Sequence, residues 1–156
     1  MSTFVRKVEY FYCTVQDQPG ESYKLLNLLA DVGVNLLAFT AVPSGLMNTQ
    51  FTLFPEDPDK LKIEAEKASL HLFGPIPALL VRGEDEIGAL TEIHKKLFDA
   101  GVNIAASTAV TDGNGGFGYV IYIRTENFQS AQSSLKIFSP DIYYITKSTI
   151  SISYCS

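Results

Sequence analysis

DAGVNIAASTAV, residues 99–110, restates DVGVNLLAFTAV, residues 31–42, with eight of the 12 positions identical. The offset is 68 residues, and it holds well outside the two phrases. Asp17 matches Asp85, Gly20 matches Gly88, Leu25 matches Ile93, and Leu29 matches Leu97. Gly45 matches Gly113 and Phe51 matches Tyr119, with no gap needed anywhere in that span. Self-similarity at a fixed spacing marks a duplicated structural unit.

Inside the first copy the residue pattern alternates between strand and helix. Val8 to Val15 is dense in aromatic and β-branched residues, a strand signal. Asp17 to Gly20, reading DQPG, is turn chemistry. From Glu21 to Val32, Leu25, Leu29 and Val32 recur at i, i+4 and i+7, which predicts a helix with one apolar face. Gly33 suits its C-terminal stop. Val34 to Val42 predicts a second strand, Pro43, Ser44 and Gly45 a turn, and Thr49 to Phe54 a third strand. PEDPD then breaks the pattern, and Pro58 fits the first turn of a second helix. Its stripe is Leu61, Ala65, Ala68 and Leu72.

The second copy follows suit. Ile76 to Arg82 reads as a strand, and GEDEIG, residues 83–88, as a loop. Ile87, Leu90, Ile93, Leu97 and Ala100 give a helix face. Val102 to Thr111 and Gly118 to Thr125 read as strands around a Gly-rich turn. Phe128, Ala131, Leu135 and Phe138 recur at helical spacing, and DIYYITKSTISISYC reads as one last strand.

The order βαββα followed by βαββαβ predicts an α+β fold of two ferredoxin-like βαββαβ units. Each is an antiparallel sheet with helices packed on one face. The expected units are residues 1–75 and 76–156. Two complete units need eight strands, and the pattern shows seven. Either the first unit has a vestigial fourth strand, or the units are nested and the C-terminal strand completes the first.

Composition narrows the class. Apolar residues are 46%, with ten Phe and eight Tyr, enough to bury a core. The net charge of -5 argues against nucleic acid or an anionic membrane as the main partner, because both demand a basic face. Apolar runs are too short to span a bilayer. MSTFVRKVEY has no apolar signal region, so the expectation is a cytoplasmic protein. Cys13 and Cys155 form no CxxC and no metal-ligand spacing. Cys13 lies in a strand pattern, where a buried inert thiol is expected.

A strand, then DxPG, then an amphipathic helix, then GVN opening the next strand resembles the ACT domain. Asp17-Gln18-Pro19-Gly20 and Gly33-Val34-Asn35 carry the likeness in the first copy. Asp85, Gly88 and Gly101-Val102-Asn103 carry it in the second. The chain is therefore similar to a tandem ACT protein such as the regulatory ends of aspartokinases. That resemblance implies a non-catalytic regulator that binds a small effector, mostly an amino acid, where ACT-like units meet. It also implies ligand contacts from Asp17, Gln18, Pro19, Gly20 and Asn35, and from Asp85, Glu86, Gly88 and Asn103.

The chemistry of those positions agrees. A loop at a helix N-terminus offers free N–H groups to a carboxylate. Glycine lets the backbone come close, and an Asn carbonyl can accept from an ammonium. The second copy departs from the pattern, since Ile87 stands where the first has Pro19. The three acidic residues Glu84, Asp85 and Glu86 would repel an anion unless they face away or meet an ammonium.

Other constellations carry less. Gly113, Gly115 and Gly118 spell GxGxxG, but a strand pattern follows instead of a helix, so a hairpin is expected rather than a dinucleotide loop. His71 and His94 are the only histidines. Neither has a nucleophile or carboxylate at a catalytic spacing, so no catalytic residue, metal or cofactor is expected. The strand aromatics, Tyr10 and Tyr122 among them, read as packing, with no RNA-binding signature. Unpaired sheet edges favour a homodimer by sheet extension or helix packing. The competing reading is a protein–protein interaction module of the same fold with no ligand.

Overall fold

The computed structural model describes residues 3–137, 143–145 and 150–152. Its elements run β1 (Thr3–Gln16), α1 (Glu21–Asp31), β2 (Leu36–Pro43), β3 (Asn48–Pro55), α2 (Pro58–Lys67) and β4 (Phe73–Glu84). They continue α3 (Thr91–Asp99), β5 (Ile104–Thr111), β6 (Gly116–Ile123), α4 (Thr125–Leu135), β7 (Tyr143–Ile145) and β8 (Ile150–Ile152).

β1 has 14 residues and β4 has 12, about twice the usual strand length. Each strand serves two compact units. One unit is Glu9–Ile76; the other is Met1–Val8 with Pro77–Ser156. The missing fourth strand of the sequence pattern lies in this sharing. Phe73 to Pro75, which periodicity leaves as a connector, already belongs to β4.

In the Glu9–Ile76 unit the strand order is β2-β3-β1-β4. β1 pairs antiparallel with β3, from Phe11 opposite Leu53 to Gln16 opposite Asn48. β2 pairs antiparallel with β3, from Leu36 opposite Pro55 to Pro43 opposite Thr49. Gly74 sits where a Cβ would come within 2.7 Å of the Tyr10 carbonyl oxygen, so only glycine lets the chain pass. α1 buries Leu25 and Leu29, as its spacing predicts. They meet Phe11 and Cys13 of β1, Phe51 and Leu53 of β3, and Leu61 of α2. Burying a side chain of that size contributes about 1.5–3 kcal/mol. α1 ends where Gly33 takes φ 71 and its N–H reaches Ala30 O at 3.0 Å, a left-handed stop. α2 opens with Asp57, whose Oδ1 accepts from Lys60 N at 3.0 Å.

In the other unit the order is β5-β6-β4-β1, with β7 on β1 and β8 on β7. The arrangement repeats the first unit, with the start of β1 taking the fourth place. Its core is separate: Val5, Leu79, Val81, Tyr119 and Ile121 from the strands against Ile93, Leu97, Phe128, Ala131 and Leu135 from the helices. Each unit is thus an antiparallel βαββαβ sandwich.

Two expectations need correction. Ile87 does not join the α3 core face; it is fully exposed, because the chain first makes a tight turn. Ala89 N bonds to Glu86 O at 3.1 Å and Thr91 N to Gly88 O at 3.0 Å, so the α-helix starts only at Thr91. The tail is two short strands rather than one, paired antiparallel with Tyr143 opposite Ile152. Phe138 lies outside the described residues.

Candidate functional site

In the Glu9–Ile76 unit, Asp17, Gln18, Pro19 and Gly20 form the exposed loop between β1 and α1. Asp17 N donates to Met47 O at 2.9 Å, which ties the loop to the β2–β3 turn. Gln18 Nε2 donates to Gln16 Oε1 at 2.9 Å. Gly20 takes φ 90 at the N-cap of α1 with no side-chain cap. The N–H groups of the first helical turn therefore have no side-chain acceptor there.

Asn35 is elsewhere. Its Nδ2 donates to Glu56 Oε2 at 3.1 Å, and Glu56 N donates to Asn35 O at 2.9 Å. The registers explain why. The loop follows Gln16, opposite Asn48, whereas Asn35 precedes Leu36, opposite Pro55. The eight-residue length of β3, roughly 20 Å or more at about 3.3 Å per residue, lies between them.

The second unit repeats this separation. Asp85, Glu86 and Gly88 lie after β4, at the end where Glu84 faces Gly116. Asn103 precedes Ile104, opposite Ile123, at the far end of β6. The sequence groups loop and asparagine as one site; neither unit brings its own pair together. A ligand touching both must draw one of them from outside the unit.

What does surround the second loop is the far end of β5. A cleft of about 360 Å³ is lined by Asp85, Glu86, Gly88 and the turn to Thr91, by Ala109, Val110 and Thr111, and by Phe117. Asp85 N donates to Gly115 O at 2.8 Å and holds the loop against the β5–β6 turn. That turn is itself fixed by Asp112, whose Oδ1 accepts from Asn114 N at 2.7 Å and Gly116 N at 3.0 Å. These two backbone bonds hold the Asp112 carboxyl below its ordinary range. The cleft combines the start of a helix, two carboxylates, two threonines and an apolar wall. It suits a small molecule with an ammonium for the carboxylates and an anion for the α3 N-terminus.

The β5 and β6 contributors were missed from sequence. The offset equates Gly115 with Met47, but that both turns lie beside their loops follows only from the bonds of Asp17 N to Met47 O and Asp85 N to Gly115 O. The Gly113-to-Gly118 stretch is the β5–β6 hairpin turn and the start of β6, as expected.

The histidines stand apart from this cleft's lining. His94 Nε2 lies 2.7 Å from the hydroxyl of buried Tyr119, and His71 is exposed. Cys13 is buried among apolar side chains, and that burial pushes its thiol pKa up. Among the described residues, no cluster of His, Cys, Asp and Glu fits a metal ion, and no helix is long and apolar enough to cross a membrane.

No family model and no curated relative matches the chain. Solved structures do. A protein from Bacteroides thetaiotaomicron, 16% identical, matches with a TM-score of 0.70 over 90% of this chain and 94% of its own. The ligand-free regulatory subunit of aspartate kinase from Thermus thermophilus, 14% identical, matches with a TM-score of 0.57 over 89% of this chain and 98% of its own. The corresponding subunit from Thermus flavus is 16% identical, with a TM-score of 0.53 over 87% of this chain and 95% of its own. At such identities the likeness carries the fold. The chain has the ACT-like fold, in two βαββαβ units.

Proposed function

We propose that the protein is a non-catalytic regulator that binds a small amino-acid effector and acts as a homodimer. The observation that supports this most directly is the cleft at the β4–α3 loop. It joins Asp85, Glu86 and Gly88 to the apolar end of β5. An amino acid would set its ammonium toward Asp85 and Glu86, its carboxylate toward the start of α3, and its side chain on Ala109, Val110 and Phe117. Loop residues Asp17, Gln18, Pro19 and Gly20 form the corresponding position of the first copy.

The dimer supplies what one unit lacks. Asn103 is exposed and makes no hydrogen bond among the described residues, so it is free to reach an effector held by a second copy. β5 ends the strand order, is exposed from residue 105 to 111, and carries no charge and no proline. Such an edge is open to pairing. An effector that favours the closed dimer over the free chain shifts that equilibrium by its difference in affinity. The aspartate kinase subunits of like fold are named as regulatory, which agrees with an output through a partner.

The test is a thermal-shift screen of the full chain against the twenty amino acids, with calorimetry on any hit. A ligand that binds only folded protein raises the melting temperature by mass action. A hit lost in Asp85→Asn and in Ala109→Trp supports the reading. Silence across the panel favours the other one, an interaction module whose exposed Ile87, Phe98 and Val110 meet a protein partner.

A further inference from the structure

The sheet face opposite the helices carries a second cavity in the unit built from Met1–Val8 and Pro77–Ser156. Strand alternation defines the face. Val5, Val81 and Tyr119 point into the core with α3 and α4. Phe4, Arg82, Glu84 and Gly118 alternate with them and stand on the other side. They border a cavity of about 460 Å³ with Asp112 and Gly116. In the β4–β6 register Arg82 is opposite Gly118 and Glu84 opposite Gly116. Gly118, opposite Arg82, has open space where a Cβ would stand, so a ligand can lie on the β6 backbone there, while at Gly116, opposite Glu84, the Asp112 carboxylate fills that place.

Arg82 and Glu84 make no ion pair or hydrogen bond among the described residues. Asp112, at the rim, keeps its carboxylate ionised through its bonds from Asn114 and Gly116. A guanidinium presents a planar fork that matches a carboxylate. A carboxylate two residues along the same face, about 6.6 Å away, is an acceptor for an ammonium.

We propose that this cavity binds a small zwitterion, its carboxylate on Arg82 and its ammonium on Glu84, against the wall made by Phe4. The site is distinct from the β4–α3 cleft, although Phe117 lines both, and it stands or falls independently of the function proposed above.

The test is a titration of the uniformly ¹⁵N-labelled full chain with L-alanine, propionate and ethylammonium, read at the amides of Gly116 and Gly118. L-Alanine should shift both saturably. Propionate and ethylammonium, each lacking one charge, should bind at least about tenfold more weakly. Arg82→Gln and Glu84→Gln should each weaken L-alanine by about tenfold or more, and Arg82→Lys should restore only part of the loss. Asp85→Asn, in the other cleft, should leave this titration unchanged. Equal L-alanine binding to wild type, Arg82→Gln and Glu84→Gln would overturn the proposal. So would shifts confined to Gly88 and Leu90, or no saturable shift at Gly116 and Gly118.

Discussion

The amide of Asp85 donates to the carbonyl of Gly115 across 2.8 Å. One repeat earlier, Asp17 makes the same bond to Met47 at 2.9 Å. In both copies this bond fastens the strand–helix loop to the tip of the neighbouring hairpin. In the second copy it also sets one wall of the cleft. Gly115 has φ 91 and Gly45, near the matching turn, has φ 77, and neither has an atom within 4 Å of a built Cβ. A β-branched residue at either position is strained by its backbone alone. Gly115→Val and Gly45→Val should each lower stability by about 1–2 kcal/mol in denaturant melts. Only Gly115→Val should also diminish the melting-temperature rise produced by the effector. An equal effect from Gly45→Val would place the effector away from the β4–α3 cleft.

Asn35 and Asn103 should part company, although the repeat makes them equivalent. Asn35 is occupied by Glu56, and both residues are exposed. Asn35→Ala should cost under about 1 kcal/mol and leave effector binding in the cleft unaltered. Asn103 has no partner to lose among the described residues. Asn103→Ala should change stability by less than about 0.5 kcal/mol, yet weaken the effector about tenfold if a second copy supplies this side chain. Calorimetry with sedimentation on the same samples decides it. Unaltered binding in Asn103→Ala would remove that residue from the site.

The repeat made the element order legible because a fixed offset copies loops and core faces together. Leu25, Leu29, Ile93 and Leu97 are all buried where their spacing puts them. Strand sharing was not legible. Nothing in the alternation of TFVRKVEYFYCTVQ marks the point where β1 passes from one unit to the other between Val8 and Glu9. The exposure of Ile87 was hidden for a different reason. Its helical spacing to Leu90 is sound, but the turn bonds at Glu86 and Gly88 interrupt the helix before the spacing can act. The candidate site was half legible. The loop is marked by its turn residues, whereas Ala109 to Thr111 reach it only through hairpin register, a long-range fact that local pattern does not encode.

Gly74 is a position of β4 where backbone blocks any side chain. Its φ is 138, and a Cβ would stand 2.7 Å from Tyr10 O and 2.9 Å from Phe11 Cδ1. Backbone cannot swing aside as a flexible side chain can, and Phe11 is part of the core. Gly74→Ala should lower stability by about 2 kcal/mol or more. The same change at Gly101, which has φ 69 but open space around it, should cost about 1 kcal/mol. Urea midpoints of the two variants give the comparison, and equal midpoints would mean that β4 moves away from β1 without loss.

Cys13 gives a pH dependence whose sign is fixed by burial. Desolvation raises its thiol pKa in the folded protein, because the thiolate is disfavoured in apolar surroundings. The native state then holds the proton more tightly than the unfolded chain. Its contribution to stability is complete below the ordinary thiol range and is lost as pH rises through and beyond that range. Wild type should therefore lose stability faster than Cys13→Ala on the alkaline side, and the two should run parallel at neutral pH. Measured in a Cys155→Ser background, the thiol should also resist an aromatic disulfide reagent until denaturant is added. A thiol that reacts at once in native protein would mean that β1 opens to solvent at Cys13, and the alkaline difference should then vanish with it.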